Sequence, residues 1–179
     1  MSNTPKNDDQ LASDLEVLER RAVSLARVND EDEVFEGRSL LLFRIADEWY
    51  AVDAGDVREI FQDYMVMPVP CVPAFILGVV NVRGEILSVT DPATMMGLGA
   101  VTGDGVTIPP AVVIANAEVV TAMIVDEIGD IVEVAKGAVE PPVSIIDRAQ
   151  AEFVAGSVFV NDRMVGLLNI ARVLEPIGA

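Results

Sequence analysis

Hydrophobic positions along the chain follow two periods, and the change falls near residue 38. Upstream, Leu11, Leu15, Leu18, Ala22 and Leu25 recur at alternating spacings of four and three, which predicts one amphipathic helix over residues 9–28 with Asp8 or Asp9 as its cap. The seam lasts about two heptads, short of a sustained coiled coil. The acidic run NDEDE at residues 29–33 then reads as a linker. Such a seam suits packing on its own domain, association with a partner or a second copy, or a frayed tail, and the sequence leaves the three open. A chain lacking residues 1–33 is expected to fold, because the strand pattern starts after them.

From Arg38 the period becomes that of strands. Residues 40–45 and 49–52 flank the polar Ala46-Asp47-Glu48 and form a hairpin. Residues 53–61 carry Val57 and Ile60 at helical spacing, which predicts a single short turn, and residues 65–69 form an extended run ended by PVPCVP. Residues 73–91, PAFILGVVNVRGEILSVTD, are the stretch the rest is placed around. Two apolar arms meet at Arg83-Gly84, whose glycine can take the positive φ of a tight turn. Asn81 and Arg83, two apart, share one face of the first arm, while Val80 and Val82 take the other. Beyond Asp91 a short helix opens on Pro92, and glycine-rich residues 97–110 read as a surface loop. Residues 111–115 and 119–125 repeat the hairpin idea, residues 128–134 add a further apolar run, and Pro141-Pro142 starts another loop. The last hairpin joins residues 153–160 to 164–169 across Asn161-Asp162, followed by a helical turn at 170–174.

The two halves of this pattern resemble each other. At a shift of 78, Gly78 falls on Gly156, Val80 on Val158, Asp91 on Asn169 and Ala93 on Ala171, with the turns Arg83-Gly84 and Asn161-Asp162 coinciding to within a residue. At a shift of 71, Phe43 falls on Ile114, Asp56 on Glu127, Val57 on Ile128 and Glu59 on Asp130. Hydrophobic matches come cheaply in an apolar chain, so the glycine, the turns and the acidic pairs carry the inference. About five short strands per half argue for two small closed β units, whose closure removes edges that would invite aggregation.

Composition narrows the function. A 179-residue chain that is 51% hydrophobic can bury a substantial core. No apolar run reaches the ~18 residues of a membrane span, and the N-terminus lacks the pattern of a secretory signal, so a cytoplasmic protein is expected. Twelve basic against 29 acidic residues disfavour nucleic acid and anionic membrane surfaces. The chain has no histidine, which removes the commonest general base and metal ligand. Neither a cofactor nor a metal is expected. An enzyme would have to rest on carboxylates, Lys or Tyr; its first suspects, Asp126, Glu127 and Asp130, read instead as a solvated acidic edge beside a β unit. The single Cys71 has no nearby cation to activate it and reads as inert.

The central run, preceded by WYAVDAGDVREIF and followed by MIVDEIGDIVEV, resembles the CheW family of bacterial chemotaxis coupling proteins over residues 39–174. The resemblance implies a mainly β fold of two tandem SH3-like five-stranded β-barrels with short helices, here preceded by the N-terminal amphipathic helix. The corresponding division is an N-terminal helix and linker at 1–37 and a CheW-like domain at 38–179. It implies a non-enzymatic adaptor, recruited to receptor arrays at the inner membrane, that couples the cytoplasmic helical hairpin of a chemoreceptor to the regulatory domain of the histidine kinase CheA. A structural ring component that binds kinase or its own copies without touching receptors is the alternative.

Carried over by position, the receptor-facing residues are Val57, Glu59, Arg83 and Ile128, with Gly78, Asn81, Gly84 and Asp91 as motif residues of the turn and its flanks. Helix-in-groove recognition would take area from the apolar pair and register from the charges. Arg83 can serve a partner's carboxylate or pair with Glu59 inside the protein, and Val57 and Ile128 can equally be core. Asn81 and Gly84 read as turn-forming. The chain departs from the family pattern at Ser88, where proline is common, in Pro92-Ala93-Thr94, where a basic residue is common, and at Ala122, where glycine is common.

Overall fold

The computed structural model describes residues 37–99, 108–142 and 148–178. The predicted N-terminal helix and most of the 97–110 loop lie outside them. Ten strands and three α-helices follow in order: β1 Gly37–Ile45, β2 Glu48–Asp53, β3 Val57–Phe61, β4 Ile76–Val82, β5 Glu85–Thr90, α1 Pro92–Met95, β6 Ala111–Ala115, β7 Val120–Ile124, β8 Glu127–Ala135, α2 Arg148–Ala151, β9 Val154–Val160, β10 Arg163–Leu168 and α3 Ile170–Gly178. They build two five-stranded sheets, ordered β8-β1-β2-β10-β9 (sheet A) and β3-β6-β7-β5-β4 (sheet B).

Both five-stranded units expected from the repeat are present, but consecutive halves do not make them. Each half keeps its last three strands and lends its first hairpin to the other: β1 and β2 join β8 to β10, while β6 and β7 join β3 to β5. The registers obey the repeat. Val57 pairs with Ile114 and Ile128 with Phe43, the same pair with the halves exchanged at a shift of 71. The parallel contacts match too, Ser88 with Thr121 and Tyr50 with Gly166. The two tight turns coincide at a shift of 78 without offset, both with positive φ (Arg83 51°, Gly84 90°, Asn161 51°, Asp162 58°).

One local expectation needs correction. Residues 53–61 are not a single helical turn carrying Val57 and Ile60. The 3-10 turn stops at Ala54–Asp56, capped by Asp53, whose Oδ1 accepts from Gly55 N at 3.0 Å. At Val57 the backbone is extended (φ −91°, ψ 122°) and enters β3. Two features favour the strand. Val57 and Ile60 are β-branched, and Val57, Glu59 and Phe61 turn to one half-buried face while Arg58 and Ile60 turn outward, a period of two.

Three apolar clusters hold the fold. Leu40, Leu42, Ala51, Val158, Val165 and Leu167 fill sheet A, and Val80, Leu87, Val89, Val113, Ala122 and Ile124 fill sheet B. The third takes the other faces of β1 and β6, Leu41, Phe43 and Ile45 with Val112 and Ile114, and adds Met96, Val173 and Leu174 from the helical ends. β1 is therefore buried on both faces, which explains its near-continuous apolar run LLLF. Helix α1 is set by Asp91, 2% exposed, whose Oδ1 accepts from Ala93 N (2.9 Å) and Thr94 N (3.3 Å). Asn169 occupies the equivalent cap of α3. Asp91 N donates to Phe75 O and Asn169 N to Phe153 O, both at 2.8 Å, again the same bond in two copies.

A single antiparallel bridge closes each sheet on itself, Met67 with Val79 in B and Glu140 with Ser157 in A. The repeated glycine lies beside each bridge. A Cβ on Gly78 would stand 2.2 Å from Met67 O, and one on Gly156 2.7 Å from Glu140 O. The glycines are thus where the closing segment presses on β4 or β9.

Candidate functional site

The turn of the central hairpin presents the site's charge. Asn81 Oδ1 accepts from Gly84 N at 2.8 Å, bracing a turn whose Arg83 is held at positive φ with its side chain 85% exposed. β3 and β4 are the two ends of sheet B in the ladder order, and closure brings them face to face. Across that gap Arg83 meets Glu59 at 3.4 Å, so the internal pair the sequence left open is made. Beside it the Arg58 guanidinium donates twice to Glu85, at 3.3 and 3.2 Å. Two ion pairs therefore tie β3 to the hairpin.

Next to these pairs runs an open groove of about 530 Å³ whose lining includes Glu59, Phe61, Tyr64, Met65, Asn81 and Arg83. One wall is the segment joining β3 to β4. Tyr64 and Val66 turn inward onto the sheet B cluster, while Met65 and Met67 turn outward, 81% and 49% exposed. Tyr64 stacks edge-on against Phe61 (centroids 5.0 Å) and its hydroxyl donates to Pro109 O at 2.8 Å. Burial pushes that phenol up to about 12. The groove is thus apolar on one side and charged on the other.

Of the sequence-predicted site residues, Glu59, Asn81 and Arg83 come together here. Val57 and Ile128 do not line this groove. They are half-buried at equivalent places on β3 and β8, and both pack against the cluster shared by the two sheets. Gly78 and Asp91 belong to the scaffold, one under the closing bridge and the other capping α1. Two of the three acidic residues weighed for catalysis are engaged locally: Asp126 Oδ2 accepts from Ala46 N at 2.6 Å, and Glu127 pairs with Arg44 at 3.1 Å. Among the described residues, no group of three or more Cys, Asp or Glu could hold a metal ion.

Sequence reasoning missed a second exposed surface. On sheet A, Phe159 and its cross-strand partner Met164 are 66% and 50% exposed, and Ile131 on β8 is also exposed. At a shift of 78 Phe159 and Met164 fall on Asn81 and Ile86, and at 71 Ile131 falls on Ile60. The signal was available: Phe159 sits on the polar side of an alternating strand, where Asn81 stands in the other copy. A further pair of equivalent places differs in the same way. In sheet A, Trp49 lies over Gly129 with the Arg163 guanidinium 4.5 Å from its ring. In sheet B the positions of Gly129 and Arg163 hold Arg58 and Glu85. The two sheets share a backbone plan and differ in surface chemistry.

Comparison with known proteins gives this plan a family. The CheW-like domain model matches residues 39–177. The chain is 32% identical over 160 residues to the chemotaxis protein CheW of Treponema pallidum (strain Nichols), covering 88% of this chain and 91% of the relative. It is 30% identical over 138 residues to the chemotaxis protein CheW of Rhizobium meliloti (strain 1021), covering 76% of this chain and 87% of the relative. Its fold is similar to the crystal structure of the scaffolding protein TtCheW from Thermoanaerobacter tengcongensis, with a TM-score of 0.66 at 27% identity over 74% of this chain and 89% of that one.

Proposed function

The chain belongs to the CheW family, non-enzymatic chemotaxis adaptors that couple receptors to the kinase CheA, and we propose that it couples them through two unlike faces, one on each sheet. The observation carrying this reading is the divergence at equivalent positions: Asn81 and Arg83 on sheet B stand where sheet A has Phe159 and Asn161, and Arg58 and Glu85 stand where sheet A has Gly129 and Arg163. Two faces of one plan that had to grip the same partner would have no reason to differ in this way. The groove suits the helical hairpin of a receptor's cytoplasmic tip, whose apolar side chains would lie against Met65 and whose polar groups would compete for Arg83 and Glu59. The exposed cross-strand pair Phe159–Met164 on sheet A suits the regulatory domain of CheA, since exposed apolar surface gains by being covered. Among the described residues no helix is long and apolar enough to cross a membrane, so the chain would reach arrays at the inner membrane through these partners.

Binding of a receptor-tip fragment and of the CheA regulatory domain to the full chain tests the assignment. Arg83→Ala is expected to weaken the receptor fragment by about 1–3 kcal/mol, roughly 5- to 150-fold, while leaving the kinase domain unaffected. Phe159→Ser is expected to do the reverse. Unchanged receptor affinity in Arg83→Ala would remove that residue from the site. Sedimentation with receptor-containing membranes only when kinase is present would favour a ring component that makes no direct receptor contact.

A further inference from the structure

Four of the eight strand ladders join residues before 99 to residues after 108: β1 with β8, β2 with β10, β3 with β6, and β5 with β7. Among the described residues, β3 has no ladder except with β6, and β8 none except with β1. Each half alone is two hairpins and a single strand, with no sheet it can complete. The shared cluster is also split, Leu41, Phe43 and Val52 coming from one half and Val112, Ile114 and Met123 from the other. Nothing in these contacts depends on the halves belonging to one molecule, because an identical half from a second copy offers the same registers and the same apolar faces. Only the connection between Met95 and Ala111 keeps them in one chain.

We propose that the chain forms a reciprocal dimer with a second copy, in which residues 37–99 of each molecule complete both sheets with residues 108–178 of the other. The exchange creates no new interface and strains no strand, so its balance against the monomer is set by concentration. Tethering in one chain supplies the second half at an effective concentration on the order of millimolar for linkers of this length. The monomer therefore prevails in dilute solution, and the dimer gains where copies are crowded or refold together. Interconversion must break four ladders and the shared cluster, so either form persists once made. The dimer displays each outer face twice, which gives avidity for any partner with paired sites.

The test uses the full chain carrying Ser39→Cys and Glu133→Cys, with Cys71→Ser to remove its only natural cysteine. Ser39 on β1 and Glu133 on β8 are register partners whose side chains are hydrogen-bonded, close enough for a disulfide. That disulfide is internal in the monomer and joins two chains in the exchanged dimer. After refolding at about 10 μM and about 1 mM and then oxidising, the fraction of cross-linked dimer on a non-reducing gel is expected to rise at least ~10-fold. Internal disulfides alone at both concentrations would overturn the proposal, including a case where the protein elutes as a dimer, since that would be association through outer surfaces. A second measurement needs no substitution: unlabelled and isotopically labelled natural chains are refolded together at high concentration and compared with the same chains mixed while folded. Mixed dimers in native mass spectra only after joint refolding support the exchange. Their appearance on simple mixing, or their absence from both samples, overturns it.

Discussion

The carbonyl oxygen of Met67 lies 2.2 Å from the point where residue 78 would carry a Cβ. Glycine is therefore demanded twice at this position, by the oxygen and by a backbone φ of 146°. Gly78→Ala must move the segment that closes sheet B, and with it Tyr64, Val66 and the groove wall. A loss of about 3 kcal/mol is expected in chemical denaturation. Gly84→Ala, at positive φ with open space around it, is expected to cost about 1 kcal/mol. Equal losses would show that contact with Met67 is not what holds residue 78 as glycine.

Asp91 accepts two backbone N–H bonds at the start of α1, and its Oδ2 also accepts from Thr94 Oγ1 at 2.8 Å. Asp91→Ala leaves buried donors without an acceptor and is expected to destabilise by about 2–3 kcal/mol, with Asp91→Asn milder because an amide oxygen can still cap. Asn169→Ala, at the half-buried cap of α3, should cost about 1 kcal/mol. Midpoints in urea for the three variants decide the order.

The Glu59–Arg83 pair should contribute little to folding. With the Arg83 side chain 85% exposed, a double-mutant cycle of Glu59→Gln and Arg83→Ala is expected to give a coupling below about 1 kcal/mol that shrinks with added salt. A larger, salt-insensitive coupling would mean that the pair is chiefly a structural clamp.

Both tyrosines of the chain should resist ionisation while it is folded. Burial, then the hydrogen bond to Glu48 (2.5 Å) and that residue's charge, raise the Tyr50 phenol well above its ordinary range, and burial raises Tyr64 to about 12. Folded values above unfolded ones mean that their contribution to stability is whole below about pH 10 and is lost as pH rises through the folded values. Absorbance at about 295 nm is expected to show almost no tyrosinate in the folded protein at about pH 10.5, where the denatured chain is more than half ionised. Substantial tyrosinate in the folded protein at that pH would contradict the burial. Tyr64→Phe should shift alkaline unfolding to higher pH.

The sequence by itself determined what local chemistry can specify. Arg83-Gly84 and Asn161-Asp162 name their turns because both sites require positive φ, Asp91 and Asn169 cap because a short polar side chain before a helix satisfies orphan N–H groups, and the shifts of 71 and 78 disclose two copies of one plan. Tertiary structure decided which strand lies beside which. Alternation assigns a residue to a face but not a neighbour to a strand, so Val57 could be read as helical until β6 was there to pair with it. The lending of the first hairpins was illegible for the same reason, since both halves present equivalent edges and either choice satisfies the pattern. The meeting of Glu59 with Arg83 follows from closure of sheet B around Gly78. These are relations between distant segments, fixed only when the whole chain has buried its apolar faces.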